Sequence, residues 1–197
     1  QNRPTRDILH VCGLLATGDS LDVLVVHLPS RSGGAKVSEP YRMLVAGKIR
    51  SIADSLLTTR LHPQLIIMGD FNDYPNNKSI TQTLGALAPP PHPAPLQLYH
   101  LLASRAEAEK YSFGSYKYQG EWGLLDHLII SGTLLDNSSP FHTNEKKANV
   151  ARLPFLLSND EKYGGKQPFR TYSGIKYLGG YSDHLPIYTD FEIIRNN

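Results

Sequence analysis

The chain has 197 residues, 20 Lys+Arg against 18 Asp+Glu for a formal net charge of +2, and is 40% hydrophobic and 19% charged. That composition excludes a disordered polymer, a collagen and a coiled coil, and suits one globular unit with a real core. No stretch approaches the ~20 apolar residues of a membrane-spanning helix, so no transmembrane segment is expected, and the charge is too mild to announce nucleic-acid binding by itself.

Gln1-Asn2-Arg3-Pro4 carries none of the marks of a secretory signal and reads as a start in mid-domain. Two β-like runs follow, Ile8 to Ala16 and Leu21 to Leu28, and Thr17-Gly18-Asp19-Ser20 between them suits a hairpin turn. Cys12 is the single cysteine; its apolar neighbours predict a buried, inert thiol. After the polar loop Pro29 to Gly34, Tyr41 to Arg60 repeats Val45, Ile49, Ile52, Leu56 and Leu57 at helical spacing, and Pro63 closes it. Leu65-Ile66-Ile67-Met68 reads as a strand buried on both faces. Asn77 to Leu84 reads as a short helix, and Ala88 to Pro95 as a polyproline-like connector. Further strands are expected at Tyr111 to Tyr118, Leu124 to Ser131 and Leu185 to Ile194. Gly132 to Gly180 is long and irregular; within it Glu145 to Lys176 holds seven Lys/Arg against three acids, weak support for an anionic substrate. Neither an internal repeat nor a composition break divides residues 1–197, which are read as one domain of the α/β class.

Polar side chains stand where the apolar runs end. His27 follows Leu24-Val25-Val26, Asp70 and Asn72 follow Ile66-Ile67-Met68-Gly69, Asp126 lies in the next strand, and Asp183-His184 precede the last one. Strand ends converge on one sheet edge, so these residues predict a single polar site. Carboxylates, an amide and imidazoles together are what metal-assisted attack on a phosphate ester requires. Taken singly, each has a plainer explanation: an Asx turn for Gly69 to Asp73, a structural histidine for His27, a buried hydrogen bond for Asp126. His10, His62, His92, His100 and His142 are read as structural, His127 as facing away from Asp126, and Trp122 with Tyr111, Tyr116 and Tyr118 as packing residues, the alternative being an aromatic rim for a base or sugar.

The ordered segments Val25-Val26-His27-Leu28-Pro29-Ser30-Arg31, Ile67-Met68-Gly69-Asp70-Phe71-Asn72, Leu124-Leu125-Asp126-His127 and Tyr181-Ser182-Asp183-His184-Leu185-Pro186, with Arg6-Asp7-Ile8-Leu9 and Gly114 to Gly120, resemble the endonuclease/exonuclease/phosphatase superfamily, and a bacterial branch of it most. The resemblance implies a DNase I-like four-layered α/β sandwich of which this chain covers the C-terminal half or somewhat more. It implies a phosphoester hydrolase, a nuclease or other phosphodiesterase or a phosphatase, that uses Mg²⁺ or Mn²⁺. In it Asp70 would activate or position the attacking water, Asn72 would hold that water or a non-bridging oxygen, and His184 would bind the phosphate or exchange protons. Asp126 would fix the His184 tautomer, Asp183 would lie beside the metal, His27 would serve as a second acid/base, and Arg31 would bind phosphate. Zn²⁺ fits less well, because no His-x-His spacing occurs. The substrate is a phosphoester, nucleic acid being favoured over a phospholipid head group or a sugar phosphate.

The family's first half supplies an Asn and the principal metal-binding Glu, and neither motif occurs here. Glu39 and Glu121 are the only acids near the recognised segments, and neither stands in the family's position. The chain is therefore expected to lack the N-terminal part of its domain, which would be its first partner. The rival reading is a non-catalytic binding module on the same fold. A secreted or periplasmic location is suggested by the resemblance alone.

Overall fold

In the computed structural model, which describes residues 5–194, the expected hairpin forms the edge of the main sheet. Gln1 to Pro4, whose reading as a mid-domain start is given above, lie outside the described residues. Strand β1 (Leu9–Leu14) pairs antiparallel with β2 (Ser20–His27). Helix α1 (Ala35–Thr59) then crosses over, and β3 (Gln64–Asp70) returns parallel to β2. Strand β4 (Leu98–His100) and helix α2 (Ala103–Ala108) lead to a small hairpin of β5 (Tyr116–Tyr118) and β6 (Glu121–Gly123). Strand β7 (Asp126–Ser131) completes a five-stranded sheet in the order β1-β2-β3-β7-β4.

Side-chain alternation on these strands builds two cores. Leu24 and Val26 of β2, Leu65 and Ile67 of β3 and Ile129 of β7 face α1, whose Ile49, Ala53 and Leu57 cover them. Ile66, Leu128 and Ile130 face the opposite way and are covered by Leu101, Phe113, Leu134, Phe141, Val150 and Leu185. Strand β3 lies between both neighbours and is buried from Gln64 to Ile67, as its unbroken apolar run predicts.

Several expectations are corrected. Cys12 is exposed, because β1 is an edge strand with no covering layer on either face, and its sulfur lies 3.3 Å from Arg60 Nη2. Helix α1 starts six residues before Tyr41 and runs through Pro40. Ser38 Oγ donates to the Gly34 carbonyl and Arg42 Nη2 to the Ala35 carbonyl, so side chains bind carbonyls in the turn ahead of the proline. The short helix over Ser79–Leu84 has π geometry and ends on Gly85.

The strand expected over Tyr111 to Tyr118 shrinks to β5, since Tyr111 stands at φ 65, outside the β region. Tyr111 and Tyr118 are exposed rather than packed. The last strand divides into Ile187–Thr189 and Glu192–Ile193, which pair with Ala148–Val150 and Phe141–His142 of the segment read as irregular. No helix among the described residues is long and apolar enough to cross a membrane.

Candidate functional site

Register alone aligns three of the polar residues. His27 ends β2 opposite Asp70, and Asp70 ends β3 opposite Asp126, the first residue of β7. Directly opposed residues on paired strands share a face, so His27, Asp70 and Asp126 form one row across the sheet edge. Gly69 makes the row possible. At φ 136 it brings the chain so close to β2 that a Cβ would lie 1.9 Å from the Val26 carbonyl oxygen.

The turn after Asp70 is tied back onto it. The Asn72 backbone N–H donates to Asp70 Oδ1 at 2.7 Å, and its Nδ2 donates to Asp70 Oδ2 and to the Leu28 carbonyl, both at 3.1 Å. Asn72 itself adopts φ 51, a left-handed conformation that asparagine tolerates better than most residues. One amide bond thereby braces Asp70 and the other ties the turn to Leu28. His27 Nε2 lies 3.3 Å from Asp70 Oδ2. Burial raises the Asp70 pKa above the usual carboxylate value; the Asn72 N–H opposes that, and the nearby Asp126 charge reinforces it.

His184 reaches the row from the far end of the chain. A β-bridge between His184 and Tyr116 and a 2.7 Å bond from the Leu185 N–H to the Ser115 carbonyl fasten this segment to β5. His184 Nδ1 lies 2.7 Å from Asp126 Oδ2, which also accepts from Ser115 Oγ at 2.5 Å. Burial pulls the His184 pKa down, but the Asp126 hydrogen bond and the charges of Asp126, Asp70 and Asp183 outweigh it, and the net shift is upward. Ligand atoms of Asp70, Asp126 and His184 all lie within 4.8 Å of one another, a set able to hold a metal ion. Asp183 is exposed and outside that set, acting on His184 through its charge. Of the two acids near the motifs, Glu39 pairs with Lys78, and Glu121 stands on β6.

Arg31 lies in the loop after β2 and stacks 4.7 Å over the Tyr74 ring, its Nε buried with no hydrogen-bond partner among the described residues. From sequence, Ser115 within the segment Gly114 to Gly120 has no assigned role, and Tyr116 is expected to pack rather than to meet His184. Their part depends on contact with a strand end about seventy residues away, which no local pattern encodes.

Beneath the Asp70 turn sit two buried imidazoles. His127 faces away from Asp126, stacks on Phe71 at 4.9 Å, meets His100 at 4.5 Å and bonds through Nε2 to the Asp73 carbonyl at 2.9 Å. His100 Nδ1 accepts from the Leu102 N–H. Burial pushes both pKa values down, that of His127 to about 4. A folded-state pKa below the unfolded value of ~6.5 means that only the unfolded chain takes up the proton between the two. Stability is therefore expected to be full above pH 6.5. It should fall by about 1.4 kcal/mol per pH unit from His127 alone on acidification toward pH 4, with His100 adding in the same direction. Urea unfolding at several pH values checks this; His127→Phe should flatten the profile, and an unchanged slope in that variant would refute the assignment.

The model of the endonuclease/exonuclease/phosphatase family matches residues 1–193. No curated protein matches by sequence. Among solved structures, the chain is similar to a mannosyl-6-phosphatase of Bacteroides thetaiotaomicron, with TM-score 0.51 and 16% identity over 89% of this chain and 52% of the other. It is similar also to a humanized D. rerio TDP2, with TM-score 0.52 and 15% identity over 94% and 60%. Beta toxin from Staphylococcus aureus gives TM-score 0.52 and 14% identity over 93% and 57%. The chain thus spans about half the length of the first of these structures. With the mixed α/β, DNase I-like fold and the family match together, the chain belongs to the endonuclease/exonuclease/phosphatase family.

Proposed function

We propose that this chain carries the phosphate-binding and proton-transfer side of a divalent-metal-dependent phosphoester hydrolase. The observation that carries the reading is the Asp126–His184 hydrogen bond at 2.7 Å beside the partly buried Asp70. A carboxylate on Nδ1 fixes the imidazole tautomer and leaves proton exchange with substrate to Nε2. Asp70 presents a carboxylate that can accept a proton from water, and Asn72 holds it in one orientation. Arg31 supplies a guanidinium able to grip two phosphate oxygens, and His27 is a second imidazole next to Asp70. Asp183 strengthens the positive charge on His184.

Asp70 and Asp126 would hold the cation, with His184 beside them kept for proton exchange. Their oxygens suit Mg²⁺ or Mn²⁺, which bind through one or two carboxylates together with substrate phosphate and water. When bound, such an ion lowers the negative charge that repels a nucleophile from a phosphoester. The chain spans 52% of the mannosyl-6-phosphatase it is similar to, so the full-length protein is the species to assay.

Bis(p-nitrophenyl) phosphate, plasmid DNA, sphingomyelin and mannose 6-phosphate should be offered with Mg²⁺, Mn²⁺ or EDTA. Hydrolysis of at least one, abolished by EDTA and restored by Mg²⁺, is the expected result, with DNA first among them. No hydrolysis with any metal, and no Mg²⁺ binding by calorimetry, would replace the hydrolase with a binding module on the same fold.

A further inference from the structure

A cleft of about 680 Å³ opens beside the candidate site and shares two of its walls. Tyr116, whose ring lies 4.9 Å from that of His184, forms one side, and Tyr74, which carries Arg31, forms another. Strand alternation explains the β5–β6 wall. Tyr116, Tyr118, Glu121 and Gly123 fall on one face of the hairpin, where Tyr116 pairs with Gly123 and Tyr118 with Glu121. The rings of Tyr116 and Tyr118 lie nearly parallel on that face, 6.4 Å apart. Gly123 leaves room for Tyr74, since a Cβ there would lie 2.6 Å from the tyrosine ring. At the mouth, Tyr111 is held in a left-handed conformation, costly for an aromatic residue, and remains 67% exposed.

So much exposed aromatic surface lining a concavity of ligand size marks a binding site for a small organic group. Resting on the phosphoester reading, we propose that this cleft receives an aryl or heteroaryl group of the substrate while its phosphate lies against Asp70, Asp126 and His184. The near-parallel faces of Tyr116 and Tyr118 match a flat ring, and Glu107 in the lining is paired with Lys110 at 2.5 Å; a cationic head group, which Glu121 would attract, is the competing ligand in the test. Tyrosine faces grip a flat ring by offset or edge contacts, and a ring stacked there extends directly from a phosphate at His184.

The test is inhibition of bis(p-nitrophenyl) phosphate hydrolysis by the intact protein with phenylphosphonate, methylphosphonate and phosphocholine. Phenylphosphonate is expected to bind about 30-fold more tightly than methylphosphonate, the gain from burying one ring. Tyr118→Ala, at an exposed position, and Ser104→Trp, which fills the cleft from α2, should each bring the ratio close to one. Equal inhibition by the two phosphonates overturns the proposal and leaves the hydrolase standing, and so does tightest binding by phosphocholine. An unchanged ratio in both variants also overturns it. Should no substrate be turned over, calorimetry with phenylphosphonate reads the cleft directly. Binding weakened by Tyr118→Ala then supports the cleft against a failed hydrolase reading, and no binding overturns both.

Discussion

His184→Ala in the intact protein is expected to lower kcat/KM for phosphodiester hydrolysis by about 10²–10⁴-fold, the usual worth of a positioned acid or base, with the melting temperature nearly unchanged. His184 is only partly buried, and its ring bonds outward to Asp126 rather than into a core, so its removal leaves no cavity beneath the sheet. Its raised pKa keeps a larger fraction as imidazolium at neutral pH than an ordinary histidine has, the form able to give a proton to a leaving oxygen or to neutralise phosphate charge. Asp70→Asn should cost a similar factor. The amide oxygen still accepts from the Asn72 N–H, so the turn is retained while the base is lost. Groups that act in one step are not additive, and the double variant should fall little below the weaker single one. Steady-state kinetics with bis(p-nitrophenyl) phosphate decides the matter; near-normal turnover in either single variant removes that residue from the chemistry.

Much of this arrangement is legible in the chain because it depends on where apolar runs stop. Val23 to Val26 and Leu65 to Met68 are short, β-rich and unbroken, so His27 and Asp70 at their ends fall at one sheet edge whatever the details of pairing. The start of α1 is not legible in the same way. Pro40 points to a helix beginning after it, and the side-chain bonds of Ser38 and Arg42 that hold the earlier turn leave no periodic trace. Strands of two or three residues, such as Phe141–His142 and Ala148–Val150, are too short to show a period of two, so the second half of the chain reads as irregular. Cys12 misleads because an apolar string implies burial only where a second layer exists, and β1 has none. Asp183 and His184 are adjacent in sequence, yet only His184 lies in the ligand-distance set; that choice follows from the bridge to Tyr116.

The turn that presents Asp70 and Asn72 is anchored from below by a buried ion pair, and Arg42→Ala is expected to destabilise the protein by about 3–5 kcal/mol. Arg42 and Asp73 are 1% and 2% exposed, and Arg42 Nε lies 2.8 Å from Asp73 Oδ2, off the line of a hydrogen bond. The guanidinium also donates to Ser38 Oγ at 2.6 Å and to the Ala35 carbonyl at 2.7 Å, so it ties the first turns of α1 to the segment following Asn72. Removing it leaves the Asp73 carboxylate buried with Ser79 Oγ as its remaining side-chain donor among the described residues. A lone buried charge is far costlier than a missing pair. The double variant Arg42→Met/Asp73→Leu should therefore recover most of the loss. Urea unfolding of the three proteins separates the possibilities. A cost below about 1 kcal/mol for Arg42→Ala would mean that water reaches Asp73, as at an exposed pair. An undiminished loss in the double variant would mean that packing by the arginine stem, rather than its charge, holds the turn. If the charge pair is the anchor, Arg42→Met/Asp73→Leu should fold stably yet hydrolyse more slowly, because the tie from α1 to the segment following Asn72 is lost while the His127 bond to the Asp73 carbonyl remains.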